Sequence, residues 1–146
     1  MINRILFSLI FLMTNLWAVN LFLENVDLVS GTLGVYMQND EAVGGFQFGL
    51  TGVDITGASG GSAEVNGFMV STSTTTVLGF SLTGGTIPAG EGTLVDVTFT
   101  GSPVEICLDG VVMADPSGTA LDTEVGDCYT LSSGCTDPSA CNYDAG

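Results

Sequence analysis

Carboxylates are almost the only ionisable side chains in this sequence of 146 residues, which has 16 Asp and Glu, one basic residue (Arg4) and no histidine. Paired carboxylates can hydrolyse glycosidic bonds or bind Ca²⁺. Catalytic triads and histidine-built zinc sites need an imidazole, and nucleic-acid binding needs Lys or Arg to replace counterions. The sequence therefore excludes those three classes and leaves carboxylate chemistry open.

Two groups of carboxylates lie close together in the sequence: Asp40 with Glu41, and Asp122 with Glu124 and Asp127. A glycosidase needs two carboxyl groups about 5–10 Å apart in a substrate groove. Such groups are expected by chance on the solvated surface of so acidic a chain, because carboxylates are rarely buried. We therefore predict that the protein is not an enzyme.

Hard oxygen donors of the kind that Ca²⁺ prefers occur in two places. Three candidate metal ligands lie near the C-terminus: Asp137, Asn142 and Asp144. Three more aspartates lie around the last predicted loop: Asp109, Asp115 and Asp122. Neither set supplies the six to eight oxygens of a full site, so a solvated turn is the alternative. Ca²⁺ is the one cofactor that the sequence suggests, and we expect Ca²⁺ or salt to relieve repulsion among carboxylates that have no internal cation.

The N-terminus has the pattern of a secretory signal peptide. Met1–Arg4 is weakly positive, Ile5–Met13 is apolar apart from Ser8, and Ala18 supplies a small residue at the end. The apolar run is too short to span a membrane, and no later stretch is long enough. We predict that residues 1–18 are removed and that the protein is secreted, extracellular or at the cell surface. Because Leu16 is bulky where a small residue is usual, a retained anchor or a shifted cleavage site is the alternative.

Four cysteines in a small secreted chain are expected to form disulfides. Cys107 and Cys128 have the same outward parity on neighbouring predicted strands, so we predict a bridge between them on the outer face. It would close a loop of roughly 20 residues and contribute about 3 kcal/mol. Cys135 and Cys141 either pair with each other, or one of them pairs with a cysteine farther along the chain.

Composition and periodicity predict an all-β protein. Charged residues are only 12%, against roughly 25% in ordinary soluble domains, and the apolar share is 45%. Apolar and polar residues alternate with period two, and no stretch has helical spacing. Eight segments are predicted strands: Leu21–Ser30, Thr32–Asn39, Val43–Val53, Gly67–Ser73, Thr76–Thr83, Gly92–Gly101, Val104–Val112 and Ala120–Leu131. We predict a two-sheet immunoglobulin-like or jelly-roll β-sandwich of about eight to nine strands, with a barrel as the alternative.

Strand parity predicts which side chains face the core, because alternate side chains point to opposite faces. Tyr36 is placed outside by this rule. The predicted inward residues are Leu33, Val35 and Met37, then Phe46, Phe48 and Leu50, then Leu78, Phe80 and Leu82, then Val95, Val97 and Phe99, and finally Val104, Ile106 and Leu108.

The order of these pieces resembles a cohesin domain, the β-sandwich module of cellulosome scaffold proteins. The resemblance covers most of Leu21–Leu131 and is carried by five segments: Gly31–Asp40 (GTLGVYMQND), Val43–Leu50 (VGGFQFGL), Thr76–Leu82 (TVLGFSL), Ile87–Phe99 (IPAGEGTLVDVTF) and Val104–Val112 (VEICLDGVV). It implies a binding domain over residues 19–132. Cohesins bind dockerins, which are small calcium-loaded helical modules, across one sheet face, and related modules bind polysaccharide.

Gln47 and Tyr36 are the two candidate binding residues. Gln47 and Gly49 take the outward positions of the strand where cellulosomal cohesins have Asn or Asp for dockerin recognition, so the sequence departs there from the cellulosomal pattern. Tyr36 is the best remaining aromatic for stacking on a sugar, since the only Trp, Trp17, lies in the predicted signal peptide.

Residues 133–146 resemble the start of a Cys- and Asp-rich repeat of secreted bacterial proteins, as Gly134–Tyr143 (GCTDPSACNY) indicates. We expect that repeat, or a linker, to continue beyond Gly146. The resulting hypothesis is a secreted, non-catalytic binding module of a larger extracellular or cell-surface protein, attached to a dockerin-like module or a polysaccharide. The alternative is a structural spacer in an adhesin or fibre.

Overall fold

The structure is a computed structural model that describes residues 19–131. The predicted signal peptide and the predicted repeat at 133–146 lie outside the described residues. Five candidate site residues therefore lie outside them too: Cys135, Asp137, Cys141, Asn142 and Asp144.

Ten strands and one short helix follow one another along the described chain. Their bounds are β1 Val19–Asp27, β2 Thr32–Asn39, β3 Gly45–Thr51, β4 Asp54–Ser59, α1 Gly61–Val65, β5 Met69–Thr72, β6 Thr76–Phe80, β7 Gly90–Thr100, β8 Glu105–Ala114, β9 Thr123–Val125 and β10 Tyr129–Thr130. The first sheet has the order β4-β7-β2-β1-β9 and the second has the order β10-β8-β3-β6-β5. Every pairing is antiparallel except that of β1 with β9. The predicted all-β sandwich is confirmed, and the barrel is wrong.

The number of strands exceeds the predicted eight to nine because one strand was not predicted and one long predicted strand is divided. Val43–Val53 ends early as β3, and the chain then enters the first sheet as β4, which lies in a segment predicted to have no strand. Ala120–Leu131 becomes β9 in one sheet and β10 in the other. The predicted loop before β5 contains α1, whose Ala63 is fully buried.

A single core lies between the two sheets, formed by the inward residues of β2, β3 and β7 as predicted. Phe48, Val35 and Val97 have no exposed surface. Phe46 stacks between Phe48 and Phe68, with ring centroids 6.1 Å and 6.0 Å apart and interplanar angles of 14°. This aromatic stack fills the half of the core beneath β6.

Strand β6 has the opposite orientation to the prediction. Val77 is fully buried, whereas Leu78 is 40% exposed and Leu82, beyond the strand, is 74% exposed. A side chain at Gly79 would overlap the ring of Phe46, so only a glycine fits beneath that ring. The parity rule therefore failed at Leu78, Phe80 and Leu82. It placed Gly79 on the solvent-facing side because glycine has no side chain, whereas Gly79 faces the core. Val104, also predicted to be inward, is 76% exposed.

Asn39 is the buried polar residue of the core, with 4% of its surface exposed. Its Nδ2 donates to the carbonyl oxygens of Glu41 at 2.9 Å and Pro88 at 3.0 Å. These bonds hold the β2–β3 turn against the loop that precedes β7. Beside them, the backbones of Val43 and Ile87 exchange two hydrogen bonds of 2.9 Å.

The predicted disulfide between Cys107 and Cys128 is confirmed. It joins β8 to the residue that precedes β10, where Tyr129 pairs with Ile106. The bridge therefore tethers the short last strand to the edge of the second sheet. Within the described residues, no helix is long and apolar enough to cross a membrane.

Candidate functional site

The outer face of the second sheet has a cluster of exposed apolar side chains. Across β5, β6, β3 and β8, one row runs through Met69, Phe80, Gly45 and Ala114. The reversed orientation of β6 turns Leu78 and Phe80 to this face. We name Met69, Leu78, Phe80, Val112 and Ala114 the apolar patch; Met69 and Val112 are each 51% exposed.

Gln47 lies at the centre of the next row of the same face. It is opposite Leu78 on β6 and opposite Val112 on β8, and it is exposed. A shallow cavity of about 230 Å³ is lined by these three residues together with Phe80 and Ala114. The structure thus places the predicted binding residue Gln47 within an apolar surface that the sequence analysis missed. The sequence signal that could have revealed this surface is Gly79, a glycine inside the apolar strand β6.

A larger groove of about 370 Å³ adjoins the shallow cavity and shares Gln47 with it. Its floor is Gly49, which has no side chain to fill it. The pairing of β3 with β8 shifts register between Gln47 and Gly49, which produces a β-bulge. Gly110 in this bulge has a φ of 57°, a left-handed conformation that favours glycine. Asp109, which is exposed, lies opposite Gly49 and lines the groove.

Tyr36 lies on the outer face of the first sheet and so on the opposite side of the molecule from Gln47. It is half-buried beside Phe22, with ring centroids 6.4 Å apart and tilted by 41°. Polar groups surround the pair: Thr93 donates to Glu24 Oε2 at 2.6 Å, and Gln38 donates to Glu91 Oε1 at 3.0 Å. Tyr36 and Gln47 therefore belong to two separate surfaces.

The three sandwich aspartates considered for calcium do not come together. Asp109 lies within β8, and Asp115 accepts three hydrogen bonds in its own turn, from Ser117 N, Ser117 Oγ and Thr119 N at 2.8–3.0 Å. The Thr119 backbone bond, followed by the Ser117 hydroxyl, lowers the pKa of Asp115 below its ordinary value. In the described part of the chain, the one group with metal-binding spacing is Glu105, Cys107 and Cys128, and its two sulfurs form the disulfide.

A second aspartate closes a turn in the same manner. Asp27 Oδ1 accepts from the backbone N–H groups of Val29 and Ser30 at 2.9 Å and 3.1 Å. These bonds, with that of Ser30 first, lower the pKa of Asp27. Both perturbed carboxylates thus have structural roles in exposed turns.

No protein-family model and no curated protein matches the sequence. Solved structures do match. A cohesin in a type I cohesin–dockerin complex from Clostridium thermocellum is 13% identical, with a TM-score of 0.55 over 75% of this chain and 90% of that one. A non-cellulosomal cohesin from the archaeon Archaeoglobus fulgidus is 17% identical, with a TM-score of 0.57 over 79% and 91%. The sixth cohesin of scaffoldin B from Acetivibrio cellulolyticus, in complex with a Cel5 dockerin mutant, is 16% identical, with a TM-score of 0.55 over 79% and 99%.

These matches extend over most of the described sandwich and over nearly the full length of each cohesin. They confirm, at the level of the fold, the resemblance stated from the sequence. Residues 19–131 of this protein have the cohesin fold.

Proposed function

We propose that the protein is a non-catalytic, protein-binding module that receives a dockerin-like partner on the outer face of the second sheet. The apolar patch is the observation that carries this proposal. Large apolar side chains that are grouped and exposed on one face commonly mark a protein interface. The solved cohesins in complex with dockerins support the partner class, since they have the same fold.

Gln47 supports the choice of this face. Fully buried hot spots near the centre of an interface contribute most of the binding free energy, and polar groups among them fix the orientation of the partner. Leu78, Gln47 and Val112 form one continuous row across three strands. A helix laid across that row would cover both apolar side chains and meet the amide of Gln47 between them.

Binding to calcium-loaded dockerin modules tests the proposal. We would measure affinity by calorimetry for the full chain and for Leu78→Asp and Val112→Asp, each of which places a charge in the centre of the patch. Loss of at least about 30-fold in affinity is expected, because an unpaired charge would be desolvated.

Val29→Asp is the matched control, since Val29 is 99% exposed in a turn away from the patch and undergoes the same change of residue. It should leave affinity within twofold. A panel of dockerins that shows no binding, or binding that survives Val112→Asp, would contradict the proposed partner or the proposed face.

Polysaccharide attachment is a second candidate, and the Phe22–Tyr36 pair is the observation that favours it. Aromatic rings supply a flat apolar surface, and Glu24, Gln38 and Glu91 supply hydrogen-bonding groups beside it. Retention on insoluble glycans should decrease for Tyr36→Ala and remain unchanged for Leu78→Asp. Equal retention of all three proteins would contradict this contact.

Export is part of the same proposal: we infer that residues 1–18 direct secretion and that the module acts in a larger extracellular or cell-surface protein. The disulfide supports this, because disulfides persist in oxidising compartments. Mass spectrometry of the protein recovered from the medium of expressing cells should give an N-terminus after Ala18. An intracellular product with an intact N-terminus would contradict it.

A further inference from the structure

We infer that the partner carries a lysine or arginine side chain that enters the groove beside Gly49 and pairs with Asp109. The inference rests on the proposed function and specifies the chemistry of the partner at that site. The cationic side chain lies next to an aliphatic side chain on one helix of the partner.

The groove is formed by the backbone of the second sheet, at Gly49 of β3 and at the β-bulge of β8. A Cβ at Gly49 would lie 3.0 Å from the carbonyl oxygen of Thr75 and 3.3 Å from that of Asp109, so the neighbouring backbone leaves little room for a side chain at this position. Across from it, the bulge places Gly110 and Val111 of β8 opposite the single residue Phe48. The missing side chain and the bulge together open a volume of about 370 Å³, which is large enough for an extended lysine or arginine side chain.

The lining of the groove is rich in hydrogen-bond acceptors. Asp109 supplies a carboxylate, and Gln47, Thr51 and Thr76 supply amide and hydroxyl oxygens. Residues 19–131 contain no Lys, Arg or His, so Asp109 has no side-chain cation within the described protein. A cationic side chain that pairs with Asp109 would therefore come from outside the described residues.

The charge of the whole module selects among possible occupants. All of its acidic residues except Asp137 and Asp144 lie in the described residues. An acidic partner would be repelled, and an apolar side chain would desolvate Asp109 without replacing its hydrogen bonds to water. A guanidinium or ammonium group supplies charge-assisted hydrogen bonds to the same carboxylate.

One helix can reach both the groove and the patch. Gln47 and Gly49 are two residues apart on β3, about 7 Å along the strand. Positions i and i+4 of a helix are about 6 Å apart on one face. A helix with an aliphatic residue over Leu78 and Val112 thus places its i+4 residue over the groove.

The first experiment tests the groove without any partner protein. The full chain would be titrated with n-butylguanidinium, and separately with n-butylurea, which has nearly the same size but no charge, while amide shifts are followed by NMR. We expect saturable shifts at Gly49, Thr76 and Gly110 with the cation alone. Asp109→Asn should weaken the apparent affinity at least fivefold, and Asp96→Asn, an equal charge change on the first sheet, should leave it within twofold. Equal shifts with both compounds, or equal effects of both substitutions, would overturn the inference.

The second experiment separates this inference from the proposed function. A displayed dockerin library with randomised exposed helix positions would be selected on the full chain, and the clones tested against Leu78→Asp and Asp109→Asn. Enrichment of Lys or Arg at one position, lost in selection on Asp109→Asn, supports the inference. Clones that need Leu78 but show no basic residue overturn the inference and retain the proposed function. An absence of binders, or binders indifferent to both substitutions, overturns both.

Discussion

Replacing Gly79 by alanine tests the orientation of β6, on which the apolar patch depends. A Gly→Ala change at an ordinary strand position stabilises by about 0.5–1 kcal/mol, because glycine loses more backbone entropy on folding. Gly79 has no positive φ, so its backbone accepts alanine. If Gly79 faced solvent, the variant would therefore be slightly more stable than the wild type.

The structure predicts the opposite sign. The new methyl group would overlap the ring of Phe46, which is 3% exposed and is held on both sides by Phe48 and Phe68. Overpacking of a core costs about 1–3 kcal/mol, and each displaced aromatic pair about 0.5–1.5 kcal/mol. After the entropic gain of alanine is subtracted, and with both aromatic pairs displaced, we expect the free energy of unfolding to fall by about 1–5.5 kcal/mol.

Urea denaturation of Gly79→Ala, Phe46→Leu and the double variant measures this contact directly. The shorter leucine leaves room for the methyl group, so the double variant should be at least about 1 kcal/mol more stable than the sum of the single effects predicts. Gly45→Ala is the control, because a Cβ there lies 3.6 Å from the carbonyl oxygen of Gly79, an ordinary contact on the outer face. A stabilising Gly79→Ala that is additive with Phe46→Leu would refute the orientation of β6 and remove the apolar patch.

Three further predictions concern the polar part of the structure. Asn39→Asp should lower the free energy of unfolding by about 3 kcal/mol at pH 7 in urea denaturation, because it buries a charge and leaves two carbonyl groups without their donor; an unchanged midpoint would contradict the two bonds of Asn39. Because the pKa of Asp115 is lowered in the folded state, its stabilisation is complete above the ordinary aspartate pKa and is lost as the pH falls through the folded pKa. The stability difference between wild type and Asp115→Asn should therefore narrow between pH 6 and pH 2, and a difference that is constant over this range would count against it. Finally, NaCl should raise the melting temperature, since the described residues contain no internal cation. A further rise with CaCl₂ at equal ionic strength would reveal bound Ca²⁺. Equal melting temperatures in EDTA at low salt and in millimolar Ca²⁺ would contradict the expected repulsion among the carboxylates.

The sequence predicts the buried faces of β2 and β7 well because their large core residues recur at every second position, with glycine, tyrosine or polar residues between them. Val35 has Gly34 and Tyr36 as neighbours, and Val97 has Asp96 and Thr98, so the buried face is unambiguous. The same regularity placed Cys107 and Cys128 on one side of neighbouring strands, and their bridge is present. Period-two alternation with clear polar partners is therefore enough to assign faces locally.

Alternation fails in β6, where the apolar residues Val77 and Leu78 are adjacent and a glycine follows them. In β6 the larger side chains, Leu78 and Phe80, are outside, and the smaller Val77 and Gly79 are inside. The reason is not local, since the ring of Phe46 on β3 occupies the space above Gly79. A single sequence does not reveal which neighbouring strand supplies that ring.

The missed strand β4 and the division of Ala120–Leu131 have a similar cause. β4 contains one large apolar residue, Ile55, and β9 exists only because it pairs in parallel with β1, where Val19 lies opposite Thr123. Parallel pairing joins segments that are far apart in the sequence, so no short turn between them indicates the pairing. The formation of such strands depends on the strands with which they pair rather than on their own alternation of apolar and polar residues.

The assignment of the binding face depends on the same geometry. A strand that reverses its parity exchanges every core-facing side chain for a surface one. With Leu78 and Phe80 inside, the outer face of the second sheet would lose the two largest apolar side chains of β6. With both residues outside, Gln47 lies between Leu78 and Val112, and the groove at Gly49 continues the same surface towards Asp109. The steric conflict between Gly79 and Phe46 therefore determines at once how the core is packed and where a partner can bind.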